Sequence, residues 1–379
     1  MHILVINGPN LNLLGTREPE LYGTETLADL EAQWHQRARR HGATIEAFQS
    51  NHEGAIIDTI GDGNGRFDGL VINAGALSHY SYAITDAVEA VGMPTVEVHI
   101  SNIYEREVWR HTSVLTDVCD LDIVGRGVEG YLHAIDHLVA MQSHPPVTAQ
   151  YGDAPDTVLD LRTPTGPGPH PVVLLIHGGF WRDIWKRDLM DPMAVALTDS
   201  GWATTNIEYR RGGGSYTAAS YDLRQAVQWV KDHAADHGLD TDRIVVVGHS
   251  AGGYLALRLA HDNPGIAGVV SLAAVSDLAA MAESQSDDDP VVAFLGASRD
   301  EAPRLWAQAE LSGDPSVPVH LIHGVDDETV DPAQTESYTR LRGGSTEATM
   351  VARCGHMELI DPTSEAWPSV VAALGVFSS

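Results

Sequence analysis

The feature that most constrains this chain is an alternation of short apolar runs with amphipathic helical stretches, which occurs in two separate series. In the first series the strand-like runs are HILVIN, ATIEAFQS, DGLVINAG, PTVEVHIS and LDIVG. Strands that alternate with helices pair in parallel, because each helix carries the chain back to the same edge of the sheet. The first series therefore predicts a five-stranded parallel α/β sheet.

The first predicted helix shows why these stretches belong to a folded core. Its apolar residues recur at helical spacing and are followed by a glycine that favours a helix end: Leu27, Leu30, Trp34, Ala38 and Gly42. A stripe of this kind on one face of a helix is typical of core packing.

A break between the two series lies at Ser143–Pro146, SHPP. Proline cannot continue the preceding helix and favours extended chain. We therefore expect one domain at residues 1–142, a linker at 143–146 and a second domain at 147–379. This division agrees with the length of 379 residues, since one domain typically takes about 100 to 200.

The second series is longer than the first and has the same alternation. Its strand-like runs are VLDLRTP, VVLLIHGG, WATTNIEY, RIVVVGHS, IAGVVSLAAV, VPVHLIHG and ATMVARCGH. The pattern predicts a second, larger doubly wound α/β domain. The polar segment Ser284–Asp289, SQSDDD, is expected in an exposed loop, either as a solvated face or as a lid.

Charge and cysteine content limit the partners of the chain. The 23 Lys and Arg residues against 52 Asp and Glu residues give a formal charge of −29, which argues against binding to nucleic acid or anionic lipid. The two cysteines, Cys119 and Cys354, lie in different halves, so neither a disulfide framework nor a zinc cluster is implied. No apolar run is long enough to span a bilayer and the first residues lack a signal-peptide pattern, so we expect a cytoplasmic protein without membrane partners.

Polar residues follow the strand-like runs of the first series, where ligands bind in open α/β sheets. They are Asn10, Arg17, Tyr22, Asn73, His79, Glu97, His99, Ser101, Arg106 and Arg110. An arginine beside a phenol stabilises the phenolate, so Tyr22 could act as a base, with His99 as the acid. Several arginines in an acidic protein also indicate a small anionic substrate. Taken singly, each of these residues is more often an ordinary surface or capping residue.

The combination is more specific than its parts. The segments NGPNLNLLGTREPELYG at Asn7–Gly23, QSNHEG at Gln49–Gly54, INAGALSHYS at Ile72–Ser81 and EVHISNIYEREVWRHTS at Glu97–Ser113 resemble type II 3-dehydroquinate dehydratases. The resemblance covers about residues 1–142. It implies a flavodoxin-like fold and the dehydration of 3-dehydroquinate to 3-dehydroshikimate through an enolate, without a metal or an organic cofactor.

The resemblance also implies roles for individual residues. Tyr22, activated by Arg17, removes the proton next to the ketone. His99, oriented by Glu97, protonates the departing hydroxyl. Asn10 would hold the water that stabilises the enolate, and Arg106 would belong to the mobile loop and the site wall. The substrate's carboxylate and hydroxyls would be bound by Asn73, His79, Arg110 and the N–H groups of Ile100 and Ser101.

Oligomer contacts are implied as well, because family members close the loop that carries Arg17 and Tyr22 against a neighbouring subunit in a dodecamer built from trimers. Asp86 matches the acidic residue that crosses that interface. Thr85 stands where relatives often have arginine, which puts the interface contacts in doubt more than the chemistry.

The segment GRGVEG has the spacing of a dinucleotide-binding fingerprint. Its glycines, Gly125, Gly127 and Gly130, follow the last predicted strand of the first domain, so no further βαβ unit can supply the ribose-binding acid. We expect these glycines to serve tight packing between strand and helix.

A second chemistry is indicated by GHSAG at Gly248–Gly252, which lies between the apolar run IVVV and the helical stretch YLALRLA. A strand, a sharp turn and a helix in this order expose a serine nucleophile, here Ser250. HGGFW at His177–Trp181 occupies the position of an oxyanion loop. The N–H groups of Gly179 or Phe180, together with that of Ala251, would form the oxyanion hole.

The partners of the serine follow in the order of α/β-hydrolases, with an acid in HGVDDETV and His356 in CGHMELIDP. Asp327 is preferred over Asp326 as the acid, because the pattern HGxxDxxV places the acid four residues after His323. HGGFW together with GHSAGG resembles kynurenine formamidases and the esterases that release acetyl or feruloyl groups, over about residues 147–379. The motifs leave the acyl group open, and Trp181, Trp185 and Tyr254 are either pocket or core residues.

The leading interpretation is a bifunctional enzyme without cofactors, a dehydratase joined to a serine hydrolase of a carboxylic ester or small amide. The fusion motivates a narrower hypothesis, in which the ester contains a quinate- or shikimate-type acid. The alternative is an esterase whose first domain is only an oligomerisation or ligand-binding scaffold. Biosynthetic and catabolic roles of the dehydratase both stay open.

Overall fold

The computed structural model of the chain describes residues 1–18, 22–262, 265–282, 289–342 and 346–377. Two units are present, Met1–Ser143 and His144–Ser379, here called unit 1 and unit 2. A helix continues to Ser143 and a strand begins at Val147, so only residues 144–146 of the segment SHPP lie between them. Within the described ranges, no helix has the length and apolar character needed to cross a membrane.

Unit 1 is built on a five-stranded sheet of parallel neighbours in the order β2-β1-β3-β4-β5. The strands are β1 His2–Asn7, β2 Thr44–Gln49, β3 Gly69–Asn73, β4 Thr95–His99 and β5 Leu121–Val124. This order is that of flavodoxin-like folds and confirms the predicted sheet. It aligns Asn7 with Asn73 and thereby brings the carboxyl ends of β1, β3 and β4 to one edge.

Among the described residues of unit 1, four helices cover the sheet: α1 Leu27–Arg40, α2 Glu53–Asp62, α3 Tyr82–Val91 and α4 Glu129–Ser143. Helices α1 and α4 pack with Ile3 and Val5 on one face. Helices α2 and α3 pack with Leu4 and Ile6 on the other. Successive residues of β1 thus serve opposite cores, as the alternation of side chains along a strand requires.

Helix α1 begins with a capping box, in which Asp29 N donates to Thr26 Oγ1 and Thr26 N donates to Asp29 Oδ2. Trp34 is fully buried and stacks on Tyr131 of α4 with ring centroids 4.6 Å apart. Burial of such a large apolar side chain stabilises the fold by roughly 1.5–3 kcal/mol. Two of the glycines in GRGVEG also serve packing, since a Cβ would lie 2.9 Å from Asn102 Cβ at Gly125 and 3.2 Å from Ile123 Cγ2 at Gly130.

Unit 2 contains an eight-stranded sheet in the order β13-β12-β11-β10-β8-β9-β7-β6. Its strands are β6 Val147–Gln150, β7 Val158–Arg162, β8 His170–Ile176, β9 Ala203–Ile207, β10 Leu239–His249, β11 Gly268–Leu272, β12 Val319–Gly324 and β13 Thr346–Val351. Strand β7 is antiparallel to both of its neighbours, and the remaining pairs are parallel. The mixed sheet confirms the predicted α/β-hydrolase fold, although β6, a largely exposed edge strand, was not predicted.

The helices of unit 2 are α5 Asp191–Asp199, α6 Tyr216–Asp232, α7 Ala234–His237, α8 Ala251–Asp262, α9 Leu278–Met281, α10 Pro290–Leu295, α11 Pro303–Ala309, α12 Ala333–Leu341 and α13 Trp367–Gly375. Helices α9, α10 and α11 form one excursion between β11 and β12. Most of the predicted loop Ser284–Asp289 lies outside the described residues. Its last member, Asp289, caps α10 by accepting from Val291 N at 2.9 Å.

Candidate active sites

A cavity of about 170 Å³ opens where the carboxyl ends of β1, β3 and β4 meet in unit 1. Of the residues predicted for this site, all except Glu97 and Asp86 line it: Asn10, Arg17, Tyr22, Asn73, His79, His99, Ile100, Ser101, Arg106 and Arg110. Apolar wall residues that the sequence motifs do not indicate complete the cavity, among them Leu11, Leu14 and Ile103.

The Tyr22 hydroxyl is held by an arginine other than the one predicted. Arg106 Nη1 donates to Tyr22 Oη at 3.0 Å, whereas Arg17 lies over the ring with its Cζ 5.2 Å from the centroid. This hydrogen bond makes the largest contribution to raising the pKa of Arg106, so the guanidinium stays charged. Arg17 Nε instead donates to Glu18. Both cations therefore face the phenol, one at its oxygen and one at its ring.

His99 is oriented by a fully buried carboxylate. His99 Nε2 donates to Glu97 Oε1 at 2.9 Å, and Glu97 also accepts from Ser113 Oγ at 2.6 Å and Thr116 Oγ1 at 3.1 Å. Since Nε2 carries the proton for Glu97, Nδ1 is the nitrogen left for exchange with a ligand. Ser113 and Thr116 were not predicted. Their hydroxyls lie 16 and 19 residues beyond Glu97, and no short motif joins them.

Asn73 is almost entirely buried and largely committed to the protein. Its Nδ2 donates to Tyr131 Oη at 2.9 Å, and its Oδ1 accepts from Gly75 N at 3.2 Å. One amide proton therefore remains for a ligand. Tyr131 in turn donates to Asn7 Oδ1 at 2.7 Å, which links the ends of β1 and β3.

The cavity wall also contains His79 and Arg110. His79 Nδ1 donates to the Thr112 carbonyl at 2.8 Å, and desolvation lowers the pKa of His79, which favours the neutral ring. Arg110 lies 4.0 Å over the Trp109 ring and donates to Glu107 at 2.9 Å. Stacking and ion pairing hold the planar guanidinium in one orientation, as bidentate carboxylate binding requires.

The remaining predicted residues of unit 1 fall into two groups. Asn10 adopts a left-handed backbone conformation with φ 68° and donates its N–H to Asn51 Oδ1 at 2.9 Å. Ser101 Oγ accepts from Arg106 at 3.3 Å, next to Ile100. Asp86, in contrast, is exposed on α3 and outside the cavity. Its predicted role concerns a second subunit.

In unit 2, Ser250 occupies a strained turn between β10 and α8. Its backbone φ is 57°, a value that residues other than glycine rarely adopt. Ser250 N donates to the Leu272 carbonyl at 2.8 Å, which ties the turn to the end of β11. Gly252 permits the turn, because a Cβ there would collide with the carbonyl oxygen of Ile176. This is the strand, turn and helix geometry predicted from GHSAG.

Asp327, and not Asp326, contacts the predicted histidine. His356 Nδ1 donates to Asp327 Oδ2 at 2.7 Å, whereas Asp326 is exposed. Burial opposes ionisation of Asp327, but hydrogen bonds from His323, His356 and the Val330 N–H outweigh it, so the pKa of Asp327 lies far below its usual range. The carboxylate thus remains charged and keeps the proton of His356 on Nδ1.

The oxyanion loop follows β8 and lies against the nucleophile. A Cβ at Gly178 would be 2.9 Å from Ser250 Cβ. The next three residues have positive φ angles, 108° at Gly179, 51° at Phe180 and 56° at Trp181. Gly179 and Phe180 in this run carry the N–H groups that were predicted for the oxyanion hole. Ala251, which would supply the other N–H, is the first residue of α8 and is buried.

The aromatic residues considered for an acyl pocket pack in the core. Trp181 is 1% exposed and stacks on Phe294 of α10 at 4.2 Å. Tyr254 is fully buried and donates to the Ala309 carbonyl at 2.7 Å. Trp185 packs against Gly179, where it leaves no room for a Cβ. The packing of Trp181 and Trp185 therefore holds the oxyanion loop in place.

His249, for which the sequence predicts no role, joins the serine turn to the histidine loop. His249 Nε2 donates to the His356 carbonyl at 3.0 Å, and the two rings are 4.6 Å apart. Burial, and next the charge of His356, lower the pKa of His249 to about 3, so its ring is neutral. Within the described residues, no hydrogen bond joins Ser250 Oγ to His356. The motif GxSxG accepts many residues before the serine, so the sequence gives no signal for this role.

Comparisons with known proteins agree with this division of the chain. The family described as "Dehydroquinase class II" matches residues 1–139, and the family described as "BD-FAE" matches residues 159–341. The chain is similar to "Catabolic 3-dehydroquinase 1" of Aspergillus terreus, with 57% identity over 136 residues, which is 36% of this chain and 90% of that protein. It is also similar to "3-dehydroquinate dehydratase" of Bacillus pumilus, with 52% identity over 139 residues, 37% of this chain and 95% of that protein.

For unit 2 the solved structures show a shared fold. The "Truncated form of carbohydrate esterase from gut microbiota" superposes with a TM-score of 0.53 at 18% identity, over 61% of this chain and 96% of that one. Identity at this level supports the architecture alone. The BD-FAE match includes Ser250 and Asp327 but ends at residue 341, before His356.

Proposed function

Residues 1–139 of the chain belong to the type II dehydroquinase family, and on this premise we propose a bifunctional enzyme that dehydrates 3-dehydroquinate and hydrolyses an ester or small amide. The observation that carries the first activity is one cavity in which a phenol faces two arginines and a histidine is held by a buried carboxylate. The observation that carries the second is the Asp327 to His356 hydrogen bond beside the strained Ser250.

In unit 1, the Tyr22 phenolate takes the proton from the carbon next to the ketone, and the C–H electrons move toward the carbonyl to form an enolate. Arg106 at the phenol oxygen stabilises the phenolate before the transfer. The enolate then reforms the carbonyl as the C–O bond to the departing hydroxyl breaks. His99 donates the proton with which that hydroxyl leaves as water. The product is the conjugated enone 3-dehydroshikimate.

The other cavity residues bind and position this substrate. The stacked guanidinium of Arg110 suits a carboxylate, whereas the remaining Asn73 proton, neutral His79 and the N–H groups of Ile100 and Ser101 suit hydroxyl or carboxylate oxygens. Asn10 holds the water at the enolate oxygen. Arg17, which lines the cavity over the ring of Tyr22, helps to exclude bulk water from it.

In unit 2, Ser250 Oγ attacks the acyl carbon while its proton passes to His356 Nε2. The tetrahedral oxyanion binds to the N–H of Ala251 and to those of Gly179 or Phe180. His356 then returns the proton to the leaving alcohol or amine as its bond to the acyl carbon breaks. Water then attacks the acyl carbon while the same histidine takes its proton, and the histidine returns that proton to Ser250 Oγ as the bond from Oγ to the acyl carbon breaks. Asp327 holds the histidine in the tautomer that this sequence needs.

The fusion favours an ester that contains a quinate- or shikimate-type acid, since its hydrolysis would release a relative of the first unit's substrate. Such a substrate would place the dehydratase in the breakdown of quinate-type acids, with aromatic biosynthesis as the alternative. A cytoplasmic location and a trimer-based dodecamer with Asp86 at its interface belong to the same proposal. N-formylkynurenine or simple aryl esters as the sole substrates would contradict the narrower hypothesis.

The test follows enone absorbance from 3-dehydroquinate and release of phenol from an aryl ester, with the full chain, Tyr22→Phe and Ser250→Ala. We expect Tyr22→Phe to lose only the dehydratase and Ser250→Ala to lose only the hydrolase. A wild-type chain that cleaves the ester through Ser250 but leaves 3-dehydroquinate unchanged would favour the scaffold alternative. Loss of oligomers in isolated residues 147–379 would support that alternative further.

A further inference from the structure

An unpaired cation lies at the outer edge of the oxyanion loop. Arg182 is exposed, and among the described residues its guanidinium has neither a hydrogen bond nor an ion pair. Free cations are unusual in this chain, where 52 acidic residues compete for 23 basic ones. In unit 2 the other arginine without a described partner is Arg304 on α11.

The backbone connects Arg182 closely to the nucleophile. Gly178 lies against Ser250, and Arg182 N donates to the Gly179 carbonyl at 3.0 Å, which closes a tight turn. Residues at the two ends of such a turn lie within about 7 Å of each other. The long arginine side chain therefore starts within reach of an ester bound at Ser250.

The same turn is joined to the beginning of α6. Gly212 N donates to the Trp181 carbonyl at 2.8 Å, so the glycine turn Gly212–Gly214 runs beside Arg182. Gly213 and Gly214 are exposed. A backbone without side chains at this place lets a ligand approach the helix end closely.

The first turn of α6 presents groups that lack partners. Helix α6 has 17 residues, and within the described residues the N–H groups of Tyr216, Thr217 and Ala218 have no acceptor. Ser215, directly before the helix, is 6% exposed, yet its Oγ has no hydrogen-bond partner and caps no N–H group. Free N–H groups and the helix dipole at an N-terminus favour an anion.

A carboxylate at the same place narrows the ligand class. A Cβ at Gly212 would lie 3.2 Å from each carboxylate oxygen of Asp183, and this exposed side chain has no described partner. Asp183 would repel a multiply charged anion such as phosphate, but it accepts hydrogen bonds from hydroxyl groups. One cation, one carboxylate and a helix N-terminus together suit a molecule with a single negative charge and several hydroxyls.

We propose that Arg182, Asp183, Ser215 and the first turn of α6 form a subsite for the alcohol part of the ester, a small hydroxylated carboxylate. The carboxylate of that part binds Arg182 and the helix N–H groups, and a hydroxyl binds Asp183. This subsite rests on the proposed hydrolase function and gives that function its selectivity. It also matches the chemical class that the cavity of unit 1 would receive.

The test compares two acetate esters that differ by one charge, 3-acetoxybenzoate and its methyl ester. With the full chain we expect kcat/KM to be about tenfold higher for the anionic ester, and Arg182→Gln to remove that preference. The matched control is Arg304→Gln, another exposed and partner-free arginine of unit 2, which should keep the preference. Added salt should weaken the preference in the wild type, since an exposed charge pair is screened.

A second variant tests the hydroxyl contact. Asp183→Asn should raise kcat/KM for 3-acetoxybenzoate, which has no free hydroxyl, because a repulsive charge is removed. For an acetyl ester of quinate, which has free hydroxyls, Asp183→Asn should lower kcat/KM relative to kcat/KM of the same variant for 3-acetoxybenzoate. Equal rates for the two acetoxybenzoate esters, or an unchanged preference in Arg182→Gln, would overturn the subsite while leaving a Ser250-dependent hydrolase intact. Failure to cleave either ester would instead overturn the hydrolase function and the subsite with it.

Discussion

Arg106 donates a hydrogen bond to the Tyr22 hydroxyl, with 3.0 Å between Nη1 and Oη. The family resemblance implies that Arg17 activates this phenol, but Arg17 contacts the face of its ring instead. A cation that donates a hydrogen bond to the phenol oxygen stabilises the phenolate more than a cation over the ring, because the second cation interacts mainly with the ring quadrupole.

Replacement of Arg106 by methionine should therefore lower kcat of the dehydratase by roughly a hundredfold, since the positioned donor at the charged atom is lost. The measurement is kcat for enone formation from 3-dehydroquinate at one fixed pH. Arg39→Met, an exposed arginine on α1, is the control, and equal losses in both variants would contradict the role of Arg106.

Asp327 and Asp326 offer a matched pair for the acid of the hydrolase. Asp327→Asn removes the acceptor that keeps the proton of His356 on Nδ1, so kcat for an aryl ester should fall by about 10⁴. Asp326→Asn changes an exposed side chain and should leave kcat within about twofold. The reverse order of the two effects would reassign the triad acid.

His249 acts on the reaction through His356, which makes it a positioning residue. His249→Leu removes the bond to the His356 carbonyl and should lower kcat for an aryl ester by about tenfold, with little change in KM. His249→Gln retains a donor and should recover part of that loss. If both variants were equally impaired and differed from wild type in KM, the residue would be serving general packing.

The same histidine predicts a pH dependence of stability. Its pKa falls from the ordinary value of 6.5 to about 3 on folding, so below pH 6.5 the unfolded chain binds a proton that the folded chain does not. The stabilisation is present in full above 6.5 and is lost as the pH falls toward 3. Thermal unfolding at several pH values should show a smaller loss of Tm between pH 7 and 4.5 in His249→Gln than in the wild type. An unchanged difference would mean that other groups govern acid unfolding.

The sequence predicted most of what depends on pattern. Strand ends converge in parallel sheets, so Asn73, His79 and His99 could be placed in one cavity before the fold was known, and GHSAG indicated the turn at Ser250. The strand β6 was missed, because its exposed edge residues lack the apolar alternation that marks a strand.

The contacts that the sequence did not reveal are those that depend on side-chain geometry between distant segments. Arg106 and Tyr22 are 84 residues apart, and His249 and His356 are 107 residues apart. A choice between two arginines for one phenol depends on a few ångströms, which residue spacing cannot supply. The choice between Asp326 and Asp327 could be predicted, because the loop pattern fixes which carboxylate points back toward His323.

Each unit completes its own sheet, and the two sheets occur in one polypeptide. Ribosomes therefore deliver the two candidate catalysts in strictly equal numbers, whatever the demand for either product. A cell cannot rebalance them by making more of one enzyme. The relative rates of the two reactions can therefore be matched only through the turnover numbers and substrate affinities of the two sites.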